Sequence, residues 1–136
     1  MEKSINQIFN QALTAHQEGK LEEAERLYRE ILKVQPEHLD TNNNLAVILE
    51  HHNKLEEAEK YYRKAIELNP KIAESYNNLG ATLGQLNRLI EAEASCKRAI
   101  ELKPDYAMAY NNLGKILYKF NRFEEAEISY RRAVEL

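Results

Sequence analysis

The chain has a single cysteine, Cys96, and no tryptophan among its 136 residues. One cysteine excludes an intrachain disulfide and is compatible with a reducing compartment. Apolar runs stop at five residues, as in Leu45–Leu49, far below the ~20 that a membrane span requires. The opening residues, Met1 to Gln7, lack the apolar centre of a secretory signal. Charge of one sign is also scarce: the net value is −3, which gives no global attraction to nucleic acid or anionic lipid. Phosphate loops, nucleophile elbows and Cys-x-x-Cys pairs are missing, so no catalysis is expected of this chain. These absences predict a cytoplasmic chain without cofactor, metal, membrane or nucleic-acid partner.

Proline is scarce too, and its placement is informative. The three prolines stand at Pro36, Pro70 and Pro104, 34 residues apart each time. Their surroundings repeat: Ile31 to Pro36 reads Ile-Leu-Lys-Val-Gln-Pro, Ala65 to Pro70 Ala-Ile-Glu-Leu-Asn-Pro, and Ala99 to Pro104 Ala-Ile-Glu-Leu-Lys-Pro. A fixed period of this size marks a stacked array in which each unit contacts mainly its neighbours.

Within the second unit, Leu45, Ala46 and Leu49, then Leu55, Ala58, Tyr62, Ala65 and Ile66, recur at three-to-four spacing. That is the period of helices with one buried stripe. Asn53 stands where a left-handed residue closes the first helix, and Gly19, Asn87 and Asn121 are its equivalents. Each proline then stops a second helix and disfavours helical geometry in the residue before it. The pattern predicts helices over 5–18, 21–34, 39–52, 55–68, 73–86, 89–102, 107–120 and 123–136. Ala24, Ala58, Ala92 and Ala126 share one register, as do Ala12, Ala46, Gly80 and Gly114. Small residues there let paired helices cross closely, with Tyr28, Tyr62 and Tyr130 beside them. Cys96 takes the tyrosine's place and reads as a small buried hydrophobe.

This pattern resembles the tetratricopeptide repeat family. The matching residues are Tyr76, Leu79, Gly80, Leu83, Ala92, Ala99 and Pro104 in the third unit, and Tyr110, Leu113, Gly114, Leu117, Ala126, Tyr130 and Ala133 in the fourth. The second unit departs at Asn42, where a large residue is usual. The first departs at Ile8, Gln11 and Ala15, as a terminal repeat facing water does. The resemblance implies an all-α fold: a superhelical solenoid of four helix-turn-helix units over 5–38, 39–72, 73–106 and 107–136, forming one array across 1–136. It also implies that first helices line a concave groove and second helices mostly the convex face. The function it implies is to hold other proteins or peptides.

On the second helices Glu25→Arg29, Glu59→Arg63, Glu93→Lys97 and Glu127→Arg131 repeat. Acid four residues before base is the favourable order on a helix. Basic residues read as spread over this solvated face rather than gathered with aromatics. The asparagines read differently. Asn43-Asn44, Asn77-Asn78 and Asn111-Asn112 recur inside the first helices, and Asn10 aligns with the second member of each pair. Asparagine is a poor interior helix residue because its side chain competes for backbone hydrogen bonds. Given stacking, Asn10, Asn44, Asn78 and Asn112 form a ladder along the groove, resembling the repeats of O-linked N-acetylglucosamine transferases. Each carboxamide can donate to a carbonyl and accept from an amide, so a ladder suits an extended peptide backbone. The alternative is that the asparagines bond neighbouring helices and hold the pitch of the stack.

One turn further along, Lys115, Tyr118 and Lys119 make one end of the groove basic and aromatic, where an acidic or C-terminal carboxylate segment could settle. A two-carboxylate clamp of the co-chaperone kind is disfavoured, because its positions read Phe9, Leu13, Asn44, Glu74 and Asn78. His51 and His52 point about 100° apart on a helix, and His16 with His51 makes an incomplete metal site. A fourth proline would fall at position 138, so the last unit is expected to leave parts of Phe123, Tyr130 and Val134 exposed. Either the chain is a piece of a longer protein, as in the substrate-recruiting arm of a transferase, or ends pair between copies.

Overall fold

The computed structural model describes residues 3–136. Two compact units divide the chain, one ending at Leu68 and the other starting at Asn69. The first holds α1 (Ile5–Gln17), α2 (Leu21–Val34), α3 (Leu39–His51) and α4 (Leu55–Leu68). The second holds α5 (Ala73–Gln85), α6 (Leu89–Leu102), α7 (Ala107–Lys119) and α8 (Phe123–Glu135). Among the described residues there is no strand, and no helix is long and apolar enough to cross a membrane.

Every helix falls where the apolar spacing puts it, with α8 ending at Glu135 rather than 136 and each odd-numbered helix one residue earlier than its pattern. For the odd-numbered helices the turn chemistry explains the difference. Gly19, Asn53, Asn87 and Asn121 adopt φ of 78°, 60°, 61° and 61°. The residue after each then bonds back five positions: Lys20 N–H donates to the Ala15 carbonyl and Lys54 N–H to that of Leu49, both at 2.8 Å. Arg88 N–H to Leu83 and Arg122 N–H to Leu117 repeat this at 2.9 Å. The left-handed residue thus satisfies carbonyls that the helix leaves open, and residues 18, 52, 86 and 120 become caps. Before Pro36 and Pro104, Gln35 and Lys103 leave the helical region, at φ −137°, ψ 79° and φ −141°, ψ 87°, since the proline ring disfavours helical geometry there.

Within the first unit α1 packs on α2, α2 on α3, and α3 on α4; in the second, α5 packs on α6, α6 on α7, and α7 on α8, with α5 also touching α7. Ala24, Ala58, Ala92 and Ala126 are buried at these crossings, and Tyr28 and Tyr62 have no exposed surface. A Cβ added to Gly80 would lie 2.6 Å from the Cys96 sulfur, and one added to Gly114 2.8 Å from the Tyr130 ring. The two glycines are therefore required by close helix approach, not by backbone freedom. Cys96 is fully buried, and burial pushes its thiol up to about 12.

The repeated charge pairs all form on the second helices: Glu25–Arg29 at 3.0 Å, Glu59–Arg63 and Glu93–Lys97 at 2.8 Å, and Glu127–Arg131. Two of them also tie repeats together. Arg29 reaches Glu57 at 2.7 Å, and Arg122 reaches Glu93 at 2.8 Å. Burial alone would raise the Glu93 carboxyl, but hydrogen bonds from Lys97 and Arg122 outweigh it and hold the group below its usual range.

Candidate functional site

The aligned asparagines lie on the first helix of each pair. In the first unit Asn10 is exposed on α1, while Asn43 and Asn44 are half-buried on α3. Asn10 lines a polar cleft with Gln7, Gln11 and Thr14. Asn44 hydrogen-bonds the Tyr28 hydroxyl, which also sits 3.1 Å from His16 Nδ1. Tyr28 is pushed up by burial, against the opposing bond from Asn44, and His16 is lowered by burial. In the next repeat the equivalent tyrosine, Tyr62, donates to Glu50 at 2.9 Å.

In the second unit Asn78, Asn111 and Asn112 are half-buried, whereas Asn77 is buried. Asn77 Nδ2 donates to the Tyr106 hydroxyl at 3.4 Å, and Asn77 Oδ1 accepts from Asn112 Nδ2 at 2.8 Å. The pair Asn77–Asn112 thus bridges α5 and α7, as the stacking alternative expects. Asn112 spends an Nδ2 hydrogen on this bond and not its Oδ1, which can accept from two donors.

Four of the residues singled out in the sequence meet around one opening. Asn112, Lys115, Tyr118 and Lys119 line a cavity of about 320 Å³ with Ala81 and Gln85. Lys115, Tyr118 and Lys119 are exposed. Lys119 Nζ donates to the Gly84 carbonyl at 2.9 Å, so it closes the C-terminal turn of α5, where a cation is favoured. Ile116 would lie 3.4 Å from a Cβ at Gly84, which shows how closely α7 approaches there. No carboxylate stands among the lining residues. The opening therefore presents two ammonium groups, the amides of Gln85 and Asn112 and the phenols of Tyr118 and Tyr130 to a ligand.

At the positions of the disfavoured clamp, Phe9 packs against His38 with ring centres 4.9 Å apart and the planes tilted by 47°, and Glu74 lies 3.8 Å from Lys103. His16 is engaged by Tyr28, and His52 lies 3.9 Å from Glu25. One grouping escaped the sequence reading: Lys60, Tyr61, Arg63 and Lys64 gather at a single cleft with Asn42. Its only sequence signal was the departure at Asn42.

Two sequence profiles, each described as tetratricopeptide repeat, match residues 9–73 and 71–136. The chain belongs to the tetratricopeptide repeat family. As a tetratricopeptide repeat chain it is a protein-interaction scaffold with an all-α helical-repeat fold. Among solved structures, a crystal structure of MamA is 23% identical with a TM-score of 0.89, covering 96% of this chain and 72% of that one. MamA 41-end from Desulfovibrio magneticus RS-1 is 16% identical with a TM-score of 0.91, covering 98% and 75%. These likenesses carry the fold alone. No curated protein sequence matches the chain.

Proposed function

We propose that this tetratricopeptide repeat chain holds an extended protein segment on the asparagine-bearing faces of its first helices, and performs no chemistry on it. Each unit offers two aligned carboxamides, Asn10 and Asn44 in one, Asn78 and Asn112 in the other. The cavity lined by Asn112, Lys115, Tyr118 and Lys119 is the observation that carries the reading. Its amides, Gln85 and Asn112, serve a peptide backbone, and its two ammonium groups suit a carboxylate on the same segment. Asn43, Asn77 and Asn111 take the supporting role, as the bonds of Asn77 to Tyr106 and Asn112 suggest. The likeness of the ladder to O-linked N-acetylglucosamine transferases, and the reading of 1–136 as one array of four repeats, belong to the same proposal.

Affinity capture with the intact chain tests it, with Asn44→Ala plus Asn78→Ala as control. The variant is expected to lose the captured partner while its melting temperature shifts little, since both side chains are only half-buried and the Tyr28 hydroxyl keeps His16 as a partner when Asn44 is removed. Full capture by the variant would make the ladder structural.

A second reading, association between copies, has one observation in its favour. Phe123 is 48% exposed and Val134 87%, and both flank an apolar cleft beside Tyr118 and Tyr130. Light scattering decides it: mass rising with concentration supports association, and a monomer at millimolar concentration removes it.

A further inference from the structure

The clearest irregularity in the repeats is at Asn42. Its equivalents 34 and 68 residues on are Tyr76 and Tyr110. Tyr76 donates its hydroxyl to the Pro70 carbonyl at 3.1 Å, and the Arg98 guanidinium lies 6.0 Å from its ring centre. Tyr110 has Arg132 at 5.9 Å in the same relation. Asn42 is 1% exposed and sends its Nδ2 to the Pro36 carbonyl at 3.0 Å and the His38 carbonyl at 2.9 Å. The amide thus satisfies the proline carbonyl that a tyrosine hydroxyl satisfies in the third repeat. The ring, however, is missing. Lys64 stands where Arg98 and Arg132 stand.

A cleft of about 550 Å³ opens at this place, with Leu32, Pro36, Asn42 and Tyr61 as its walls and Lys60 and Lys64 at its rim. Tyr61 replaces the small Ser95 and Ser129 of the later repeats, so it thickens one wall without closing the space. We propose that the cleft receives an aromatic side chain from an acidic protein segment, at a site separate from the asparagine face. The ring takes the position between Pro36 and Lys64 that Tyr76 occupies between Pro70 and Arg98. Since Asn42 already serves the Pro36 carbonyl, the ring needs no hydroxyl, and phenylalanine suffices.

Charge selects the flanking residues. Three cations, Lys60, Arg63 and Lys64, meet one carboxylate, Glu67, around the cleft. Arg63 is held by Glu59 at 2.8 Å, and Lys64 is 3.8 Å from Glu67. Lys60 Nζ lies 5.4 Å from the Tyr61 ring centre, over the aromatic wall. Carboxylates on either side of the entering ring therefore meet ammonium groups, and a cation over a buried ring adds attraction. Phosphates would be drawn by the same charge, but Glu59 and Glu67 interrupt the basic surface, and one ring-sized cleft gives no platform for successive bases.

The test uses the full chain and a fluorescein-labelled peptide, Glu-Glu-Phe-Glu-Glu, followed by anisotropy. Saturable binding is expected, weakened about tenfold or more when the peptide's phenylalanine becomes alanine. Lys60→Glu with Lys64→Glu, a surface change that spares the fold, is expected to weaken it similarly. Asn42→Tyr with Tyr61→Ser recreates the pairing of the later repeats, and is expected to fill the cleft and abolish binding without lowering the melting temperature. Asn44→Ala with Asn78→Ala is expected to leave binding unchanged, which separates this site from the asparagine face. Absence of saturable binding, equal binding of the alanine peptide, unaltered binding by the double lysine variant, loss of binding in the asparagine variant, or displacement of the peptide by a lower concentration of oligothymidylate would overturn the proposal.

Discussion

Gly80 and Cys96 define one close contact, in which an added methyl would come within 2.6 Å of sulfur. Gly80→Ala is expected to destabilise the chain by about 1–3 kcal/mol, the usual cost of overpacking a filled core. In a Cys96→Ala background the same change is expected to cost less, because the clashing sulfur is gone; denaturant melts of the four proteins close the cycle. The buried thiol also titrates late, near 12 against an ordinary 9.0. It is expected to resist alkylation at neutral pH in the folded chain. The unfolded chain loses its proton first, so stability falls as the pH rises from 9.0 towards about 12. His16 works in the opposite direction. Its folded value lies below 6.5, so the unfolded chain takes up the proton first and stability falls as the pH drops through 6.5. His16→Gln is expected to remove that part of the acid dependence of the melting temperature.

At the scale of the element, the turns matter more than helix propensity. Asn87 holds φ at 61°, a conformation that costs an ordinary residue about 1–2 kcal/mol. Asn87→Ala is expected to destabilise by about 1 kcal/mol, and Asn87→Gly to leave the midpoint nearly unchanged; urea melts measure both. Such positions are legible in the sequence, because only asparagine and glycine fill them and a proline follows Gly19, Asn53 and Asn87 at a fixed distance. Helix bounds were therefore readable to within one residue, the remaining difference being the capping residue itself. What helix pairs exchange across repeats was not legible. The bonds Arg29–Glu57 and Arg122–Glu93 join residues 28 and 29 positions apart, and no local pattern distinguishes them from the pairs within a helix.

At the scale of the molecule, the 34-residue period specifies an array, and family membership makes that array an interaction scaffold. The candidate site was partly legible. Asn112, Lys115, Tyr118 and Lys119 lie on one helix at spacings of three and four, so their convergence on one cavity follows from helix geometry. The engagement of Asn77 by Tyr106 and of Lys119 by the Gly84 carbonyl depends on neighbouring helices, which composition does not encode. The cleft at Asn42 was hidden for a related reason: a missing side chain leaves only a departure from the repeat. In the proposed binding mode, the aligned asparagines touch the partner. The most direct test is to follow the side-chain NH2 resonances of Asn44, Asn78 and Asn112 while the captured segment is added. These signals are expected to shift in a saturable way with the segment. Unmoved amide signals alongside shifting resonances elsewhere would contradict the proposed binding mode.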